Sequence, residues 1–249
     1  MSTGVVVERS VASWPDLCQY VSHYRNDEHF WIFRGVGKTY DLRPKIGRDD
    51  ARKPVAGGSP LGYDRDQEKL MIDYFARAAR PYIKHTPQSR LEWLAVAQHH
   101  GMATRLLDWT ESLFVAAFFA VKSAIGKENA KPTIYALRDV PVAPENKHET
   151  HESLEELDDV MLYYPPHISP RIPAQRSVFT VHKHPDRPYA PPDRLEKLFL
   201  LPPTAPDTRL LDYRLNLDAC GINLASLFPD IGGLAEYATW LYKWEHLRG

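Results

Sequence analysis

Cysteine is almost absent from this chain. Cys18 and Cys220 are the two cysteines in 249 residues, they are far apart in sequence, and neither belongs to a CxxC pair. A disulfide framework and a cysteine-built zinc site are both disfavoured, and reducing cytoplasm is the setting that fits. Long apolar runs are absent too. The longest, LFVAAFFAV at 113–121, is about half of the ~20 residues that a membrane-spanning helix needs. The N-terminus, MSTGVVVERSVASW, lacks the basic region and apolar run of a secretory signal. A soluble cytoplasmic protein with no membrane partner is therefore expected. Charge of one sign is also missing: 31 Lys and Arg against 32 Asp and Glu leave a net charge of −1. No global field draws the protein to nucleic acid, so such a partner must be met by a local patch. No P-loop, GxSxG, HExxH or GxGxxG sequence occurs, which removes the best-marked nucleotide-binding, hydrolase and metalloprotease chemistries.

What is present is enough apolar sequence, 43% of the chain, to bury a sizeable core. A helix is predicted over 13–25, with Ser13 as N-cap and Pro15 in its first turn. HFWIFRG, from 29, reads as a short buried strand. Residues 36–63 are rich in Gly, Pro and charge and read as a long loop that could close over a ligand. An amphipathic helix over 64–83 aligns Leu70, Tyr74 and Ala78. The next helix, 89–101, is opened by a Ser89–Glu92 capping box and stopped by Gly101. The helix over 112–126 is apolar almost all round and should be central. Strands follow at 131–140, 160–166, 177–184 and 194–202. An acidic segment between them, 141–159, reads as a solvated face. Helices fill 207–247. The strand at 29–34 must join the later sheet, because alone it cannot satisfy its backbone. The whole chain, 1–249, therefore reads as a single α+β domain, its mixed and mostly antiparallel sheet packed with several helices. A doubly wound parallel sheet is disfavoured.

Three stretches could carry chemistry. Arg34 ends an apolar strand beside Gly35 and Gly37, ahead of Lys38, Arg43, Lys45 and Arg48. A guanidinium there offers a planar fork for phosphate or carboxylate, and the glycines would let a ligand approach the backbone. The other reading of Arg34 is a structural pair with a buried acid. In AQHHGMATRLLDWTESLFVAAFFA, 97–120, Gln98, His99 and His100 end a helix. Adjacent histidines lie about 100° apart on a helix, so they make a weak metal site, and no metal is expected. Thr110 and Ser112 could cap the buried helix, with Arg105 pairing to Asp108, or the same turn could bind an anion. In RIPAQRSVFTVH, 171–182, Gln175 at a strand start could fix an amide or a sugar hydroxyl, or be a polar strand-edge residue.

Together these stretches resemble the FRG domain, a bacterial and phage-associated family named for the Phe-Arg-Gly signature seen here at Phe33-Arg34-Gly35. DLRPKIGR, Glu68, the run from QHHG through TRLLDWT to FFA, RIPAQRSVFTVH and GINLASLFPDIGGLAEY extend the likeness over a core of about 28–240. A more distant similarity is to mono-ADP-ribosyltransferases of the Arg-Ser-Glu type, whose split sheet the resemblance implies here. In that pattern Arg34 would hold NAD. Thr110 and Ser112 would stand in the Ser-Thr-Ser region, and Gln175 would fall near the position of the glutamate.

The resemblance implies an NAD-using ADP-ribosyltransferase-like effector, a toxin of a toxin–antitoxin or antiphage system, whose acceptor is protein or nucleic acid and whose partner is an antitoxin. Arg34, Gly35, His99, Trp109, Thr110 and Ser112 would bind the cofactor, and Arg34, Gln175, Asp108 and Thr110 would serve catalysis. Breaking the nicotinamide–ribose bond builds positive charge on the ribose, which calls for a cation on the pyrophosphate, hydroxyls on the ribose and an apolar wall. A neutral Gln175 cannot act as a base, so Asp108 or Glu111 would have to supply the carboxylate. Two alternatives stand beside this reading: a non-catalytic nucleotide- or phosphate-binding module, and a metal-independent RNase-like toxin using Gln98, His99 or His100.

Overall fold

The computed structural model of the chain describes residues 6–49, 51, 61–144, 150–200 and 208–247, without the side chains of 208, 209 and 244–247. Parts of four predicted segments fall outside these residues: 50 and 52–60 of the loop, 145–149 of the acidic segment, 201–202 of the last strand, and 207.

Local signals place most helices where the sequence puts them. Helix α1 (Trp14–Asn26) starts where the Ser13 hydroxyl accepts the Asp16 N–H. Pro15 lies in the first turn, where a missing N–H costs nothing. Helix α2 (Arg65–Ala78) is capped by Asp64, which accepts the Gln67 N–H. Helix α3 (Arg90–His99) has the Ser89 cap, but Glu92 reaches back to the Gln88 N–H rather than to that of Ser89. Gly101, at φ 90°, ends α3 in a Schellman motif: its N–H bonds to Gln98 O and the Met102 N–H to Ala97 O. Helix α4 (Leu113–Ala124) is buried nearly all round, as its composition demands. Short helices α5 (His151–Glu155), α6 (Arg171–Ala174) and α8 (Leu224–Leu227) and the longer α7 (Thr208–Ala219) and α9 (Ile231–Leu247) complete the described helices.

The strands are β1 (Val7–Ser10), β2 (Trp31–Val36), β3 (Leu106–Thr110), β4 (Thr133–Arg138), β5 (Val160–Tyr163), β6 (Ser177–His182) and β7 (Leu195–Phe199). They form one sheet in the order β1-β7-β4-β2-β3-β6-β5. Every pairing is antiparallel except β1 with β7. The α+β class and the mostly antiparallel sheet are thus as expected, and β2 does join the later strands. Strand β1 was not expected. Its VERS sequence carries two charges and no alternation, and it becomes a strand by lying along the edge of β7.

The sheet is narrowest at β2–β3. That pairing consists of one register pair, Phe33↔Thr110, whereas β2 shares six with β4 and β3 five with β6. Two nearly separate half-sheets result. Beside the first half, α4, α1 and α7 pack on Phe33, Ile134, Ala136 and Leu198. Beside the second, α2 and α3 pack through Ile72, Leu91 and Leu94 on Leu106, Phe179 and Val181. Another core, Ile32, Leu107, Trp109, Tyr135 and Val178, is covered by Leu42 and Tyr189 from loops.

That cover corrects part of the expectation that the 36–63 loop could close over a ligand. Its described first part is pinned down: Leu42 O accepts the Tyr189 N–H, Ile46 N–H bonds to Thr104 O, and Lys45 Nζ to Gly101 O. Gly35 and Gly37 are a second correction. A Cβ on Gly35 would lie 1.7 Å from Ala116 O, and one on Gly37 would lie 2.4 Å from Ser123 O. The glycines let α4 sit directly on β2 instead of admitting a ligand to the backbone.

Helix α2 is turned away from its predicted face. Leu70 and Tyr74 are 61% and 64% exposed, and the buried side chains are Glu68 and Ile72. The cause is Arg105, which is 0% exposed and pairs with Glu68, not with Asp108 as expected. Its Nε and Nη2 donate to both Glu68 oxygens at 2.7–3.2 Å, and Nη2 also reaches Tyr63 Oη and Glu155 Oε1 at 2.9 Å each. Burial alone would pull the Arg105 guanidinium down, but the Glu68 hydrogen bonds and charge outweigh it and raise it. Burial, reinforced by Glu68, pushes the Tyr63 phenol up. Glu155 comes from α5, so the acidic segment is more than a solvated face.

Two stability predictions follow from this packing. Glu68→Gln should lower unfolding free energy by about 3–5 kcal/mol, because it strands a buried cation. Gly35→Ala should cost about 3 kcal/mol or more through its clash with α4. Urea midpoints at constant m-value would check both.

Candidate functional site

Where β2 and β3 separate, a cavity of about 550 Å³ opens. Strand β2 contributes Phe33 and Arg34, with Lys38 and Tyr40 just beyond it. The last turns of α3 contribute Gln98 and His99. Strand β3 contributes Asp108 and Thr110, and α4 with its following turn contributes Phe119, Ser123 and Lys127. The far wall is built by Arg171, Gln175, Phe179 and Phe228.

Arg34 holds the opening. Past the single Phe33↔Thr110 pair the strands diverge, leaving the Asp108 carbonyl without a strand partner on β2. Arg34 Nη1 donates to that carbonyl at 2.6 Å and lies 3.6 Å from Asp108 Oδ2. Its Nε is buried with no partner among the described residues. Asp108 Oδ1 accepts Gln98 Nε2 at 2.8 Å, and Gln98 Oε1 accepts the Thr104 hydroxyl. Fixed from behind, the Asp108 side chain is still 61% exposed. A cation and a carboxylate therefore stand side by side at the cavity, between aromatic walls from Phe33, Phe119, Phe179 and Phe228.

The other expected site residues divide. His99 lines the cavity; its imidazole is held down by burial, then by His100 and Arg171, against an opposing pull from Asp230. His100 does not line it, and the two rings meet edge to face at 5.1 Å. Gly35 borders the cavity, but its missing Cβ serves α4. Thr110 borders it with a hydroxyl already committed: it donates to Gln175 O at 2.7 Å and accepts the Ser112 N–H. Trp109 is 3% exposed, and its indole N–H donates to Thr180, so it offers little surface for stacking. Ser112 is a correction. It caps α4 and faces a separate, smaller pocket with Glu111 and Arg176. Gln175 is another. It is the C-cap of α6 rather than a strand residue, and its side-chain amide donates to Leu227 O at 2.9 Å. It docks the α8 end, which brings Phe228 into the wall. Arg176, at φ 46°, then turns the chain into β6.

Phe228 and Lys127 were not anticipated. Arg171 lies over the Phe228 ring at 5.1 Å and pairs with Asp230. Lys38 and Lys127 have no acidic partner among the described residues. Phe228 lies within GINLASLFPDIGGLAEY, but nothing in that stretch marks it for a site, and only the fold brings it to the cavity that Arg34 lines.

Behind β3, the Thr180 hydroxyl lies between the Trp109 indole and His182 Nε2, 2.9 Å from each. Burial, with the charges of Arg105 and Arg34, holds the His182 imidazole down to about 3. Burial, then Arg105, lowers His151 as well. In the unfolded chain both would titrate near pH 6.5. Below that pH the unfolded state binds more protons, so stability should be full above about pH 6.5 and fall as pH drops towards 3. His182→Gln should flatten part of that fall in urea midpoints measured across this range.

Among the described residues no helix is long and apolar enough to cross a membrane. No curated protein and no solved structure gives a significant match to the chain. Residues 29–129 match the family model described as the FRG domain. The match contains Arg34, Gln98 and Asp108 and ends before Arg171, Gln175 and Phe228. With the Phe33-Arg34-Gly35 signature on the strand that opens the cavity, residues 29–129 carry the likeness to the FRG domain family.

Proposed function

We propose that the cavity binds a nucleotide of the NAD class and breaks its nicotinamide–ribose bond, with Arg34 on the phosphates and Asp108 beside the ribose. The observation that carries this reading is the Arg34–Asp108 pair at the parted strands, set among aromatic side chains. In the reaction the C1′–N bond breaks and its electron pair leaves with nicotinamide. Positive charge builds at C1′, and an acceptor oxygen or nitrogen then donates a pair to that carbon and releases its proton. A fixed carboxylate next to C1′ stabilises that charge without reorganising. Asp108 suits this task better than either rival. Gln175 is neutral and its amide is occupied, and Glu111 lies by Arg176 outside the cavity. Phe119 and Phe228, rather than Trp109, offer the apolar wall. Thr110 acts by holding Gln175, and Lys38 and Lys127 add charge for phosphate oxygens.

The effector role, with a toxin's acceptor and an antitoxin partner, extends this reading on the strength of the resemblance alone. Purified protein incubated with labelled NAD and lysate should release nicotinamide and move label into protein or nucleic acid, which parallel protease and nuclease digestion tells apart. Arg34→Ala should weaken NAD binding by roughly 10- to 100-fold, the scale of a charge-assisted hydrogen bond. Asp108→Asn should keep binding and lower turnover by about 10²–10³-fold. NAD bound but never cleaved by the wild-type protein would replace catalysis with a binding module, and no binding at all would overturn the site.

A further inference from the structure

Outside the cavity's lining, the end of α2 and the turn after it expose an unusual mixture of side chains. Tyr74 is 64% exposed and Tyr82 is 88% exposed, close to what an unfolded chain would show. Among the described residues neither phenol has a hydrogen-bond partner and neither ring an aromatic neighbour. Arg77, Arg80, Lys84 and His85 are exposed beside them. From 74 to 88 the sequence, YFARAARPYIKHTPQ, contains no Asp or Glu. The acid just before it, Asp73, is taken by Arg90 at 2.6 Å. In a chain whose charges otherwise balance, this stretch is a local cationic patch with exposed aromatic rings.

Neither the fold nor the cavity accounts for the patch. Tyr74 and Tyr82 bury little, so neither ring is held in place by the core. The charges select the partner. A surface for an apolar protein partner would not flank each ring with cations, whereas Tyr82 has Arg80 and Lys84 two residues to either side, and Arg77 already lies over the Tyr74 ring at 5.9 Å. Aromatic rings that stack bases, interleaved with cations that meet phosphates, are the physical requirement of single-stranded nucleic acid. Duplexes keep their bases stacked internally and cannot use such rings. We infer that the 74–85 surface is a docking site for single-stranded nucleic acid, with Tyr74 and Tyr82 as base-stacking platforms and Arg77, Arg80 and Lys84 as phosphate contacts. The inference is independent of what the cavity binds.

Fluorescence anisotropy with end-labelled oligothymidylate and oligouridylate, longer than the ~4–16-nucleotide footprint of a binding domain, tests it on the full chain. Binding should weaken roughly 20-fold between about 50 and 200 mM salt for three phosphate contacts. Tyr74→Ala and Tyr82→Ala should each weaken it about 5- to 100-fold. The double charge reversal Arg80→Glu with Lys84→Glu should abolish it. All four side chains are exposed, so thermal unfolding should match the wild type and show that the variants fold. Excess NAD should not displace the oligonucleotide. No single-strand binding at low salt would overturn the proposal, as would binding that ignores these substitutions or is displaced by NAD. Capture of anionic vesicles or an acidic peptide through the same residues, without oligonucleotide binding, would assign the patch to another partner and likewise overturn it.

Discussion

A guanidinium and a carboxylate, Arg105 and Glu68, meet with no solvent contact between β3 and α2. Much of the second half-sheet is arranged around that pair. Two charges taken out of water are the better tolerated the more of their remaining hydrogen-bonding capacity is met. The chain meets most of it from three directions, Tyr63 ahead of α2, Glu68 within it, and Glu155 from α5, while Arg105 Nη1 has no partner among the described residues. This requirement turns α2 so that Glu68 and Ile72 face inward and Leu70 and Tyr74 face out. It also draws in part of a segment whose composition suggests only solvation. Arg105 directly precedes β3, the strand that carries Asp108, so the pair anchors the base of the strand on which the cavity depends.

The cavity exists because β2 and β3 share a single register pair. Parted strands leave backbone groups without partners, and a buried carbonyl without a donor is unfavourable. Arg34 supplies the donor for Asp108 O while remaining next to the Asp108 carboxylate. One side chain thus closes the backbone and presents charge to the opening. The first half-sheet is held rigid by α4, which approaches so closely that positions 35 and 37 admit no side chain. The C-terminal region closes the opposite wall through Gln175 and Phe228. The match to the FRG domain therefore covers the cation, the carboxylate and the amide behind it, while the opposite wall comes from beyond the matched residues.

Local signals in the sequence determined the helix starts at Ser13, Ser89 and Ser112, the stop at Gly101, the buried character of α4, and the α+β class with β2 drawn into a later sheet. They also singled out Arg34 and Asp108. Each of these depends on neighbours within a few residues or on a composition that admits one environment. Tertiary structure alone decided that Arg105 takes Glu68 and leaves Asp108 to Arg34 and Gln98, that Gly35 serves a helix, that Ser112 faces away from the cavity, and that Gln175 binds Leu227. It also decided that Phe228 joins a site far behind it in the chain. These are choices among partners distant in sequence. Ion pairs, backbone approach and side-chain walls are settled by which surfaces the sheet order brings together, and no spacing in one sequence encodes that order.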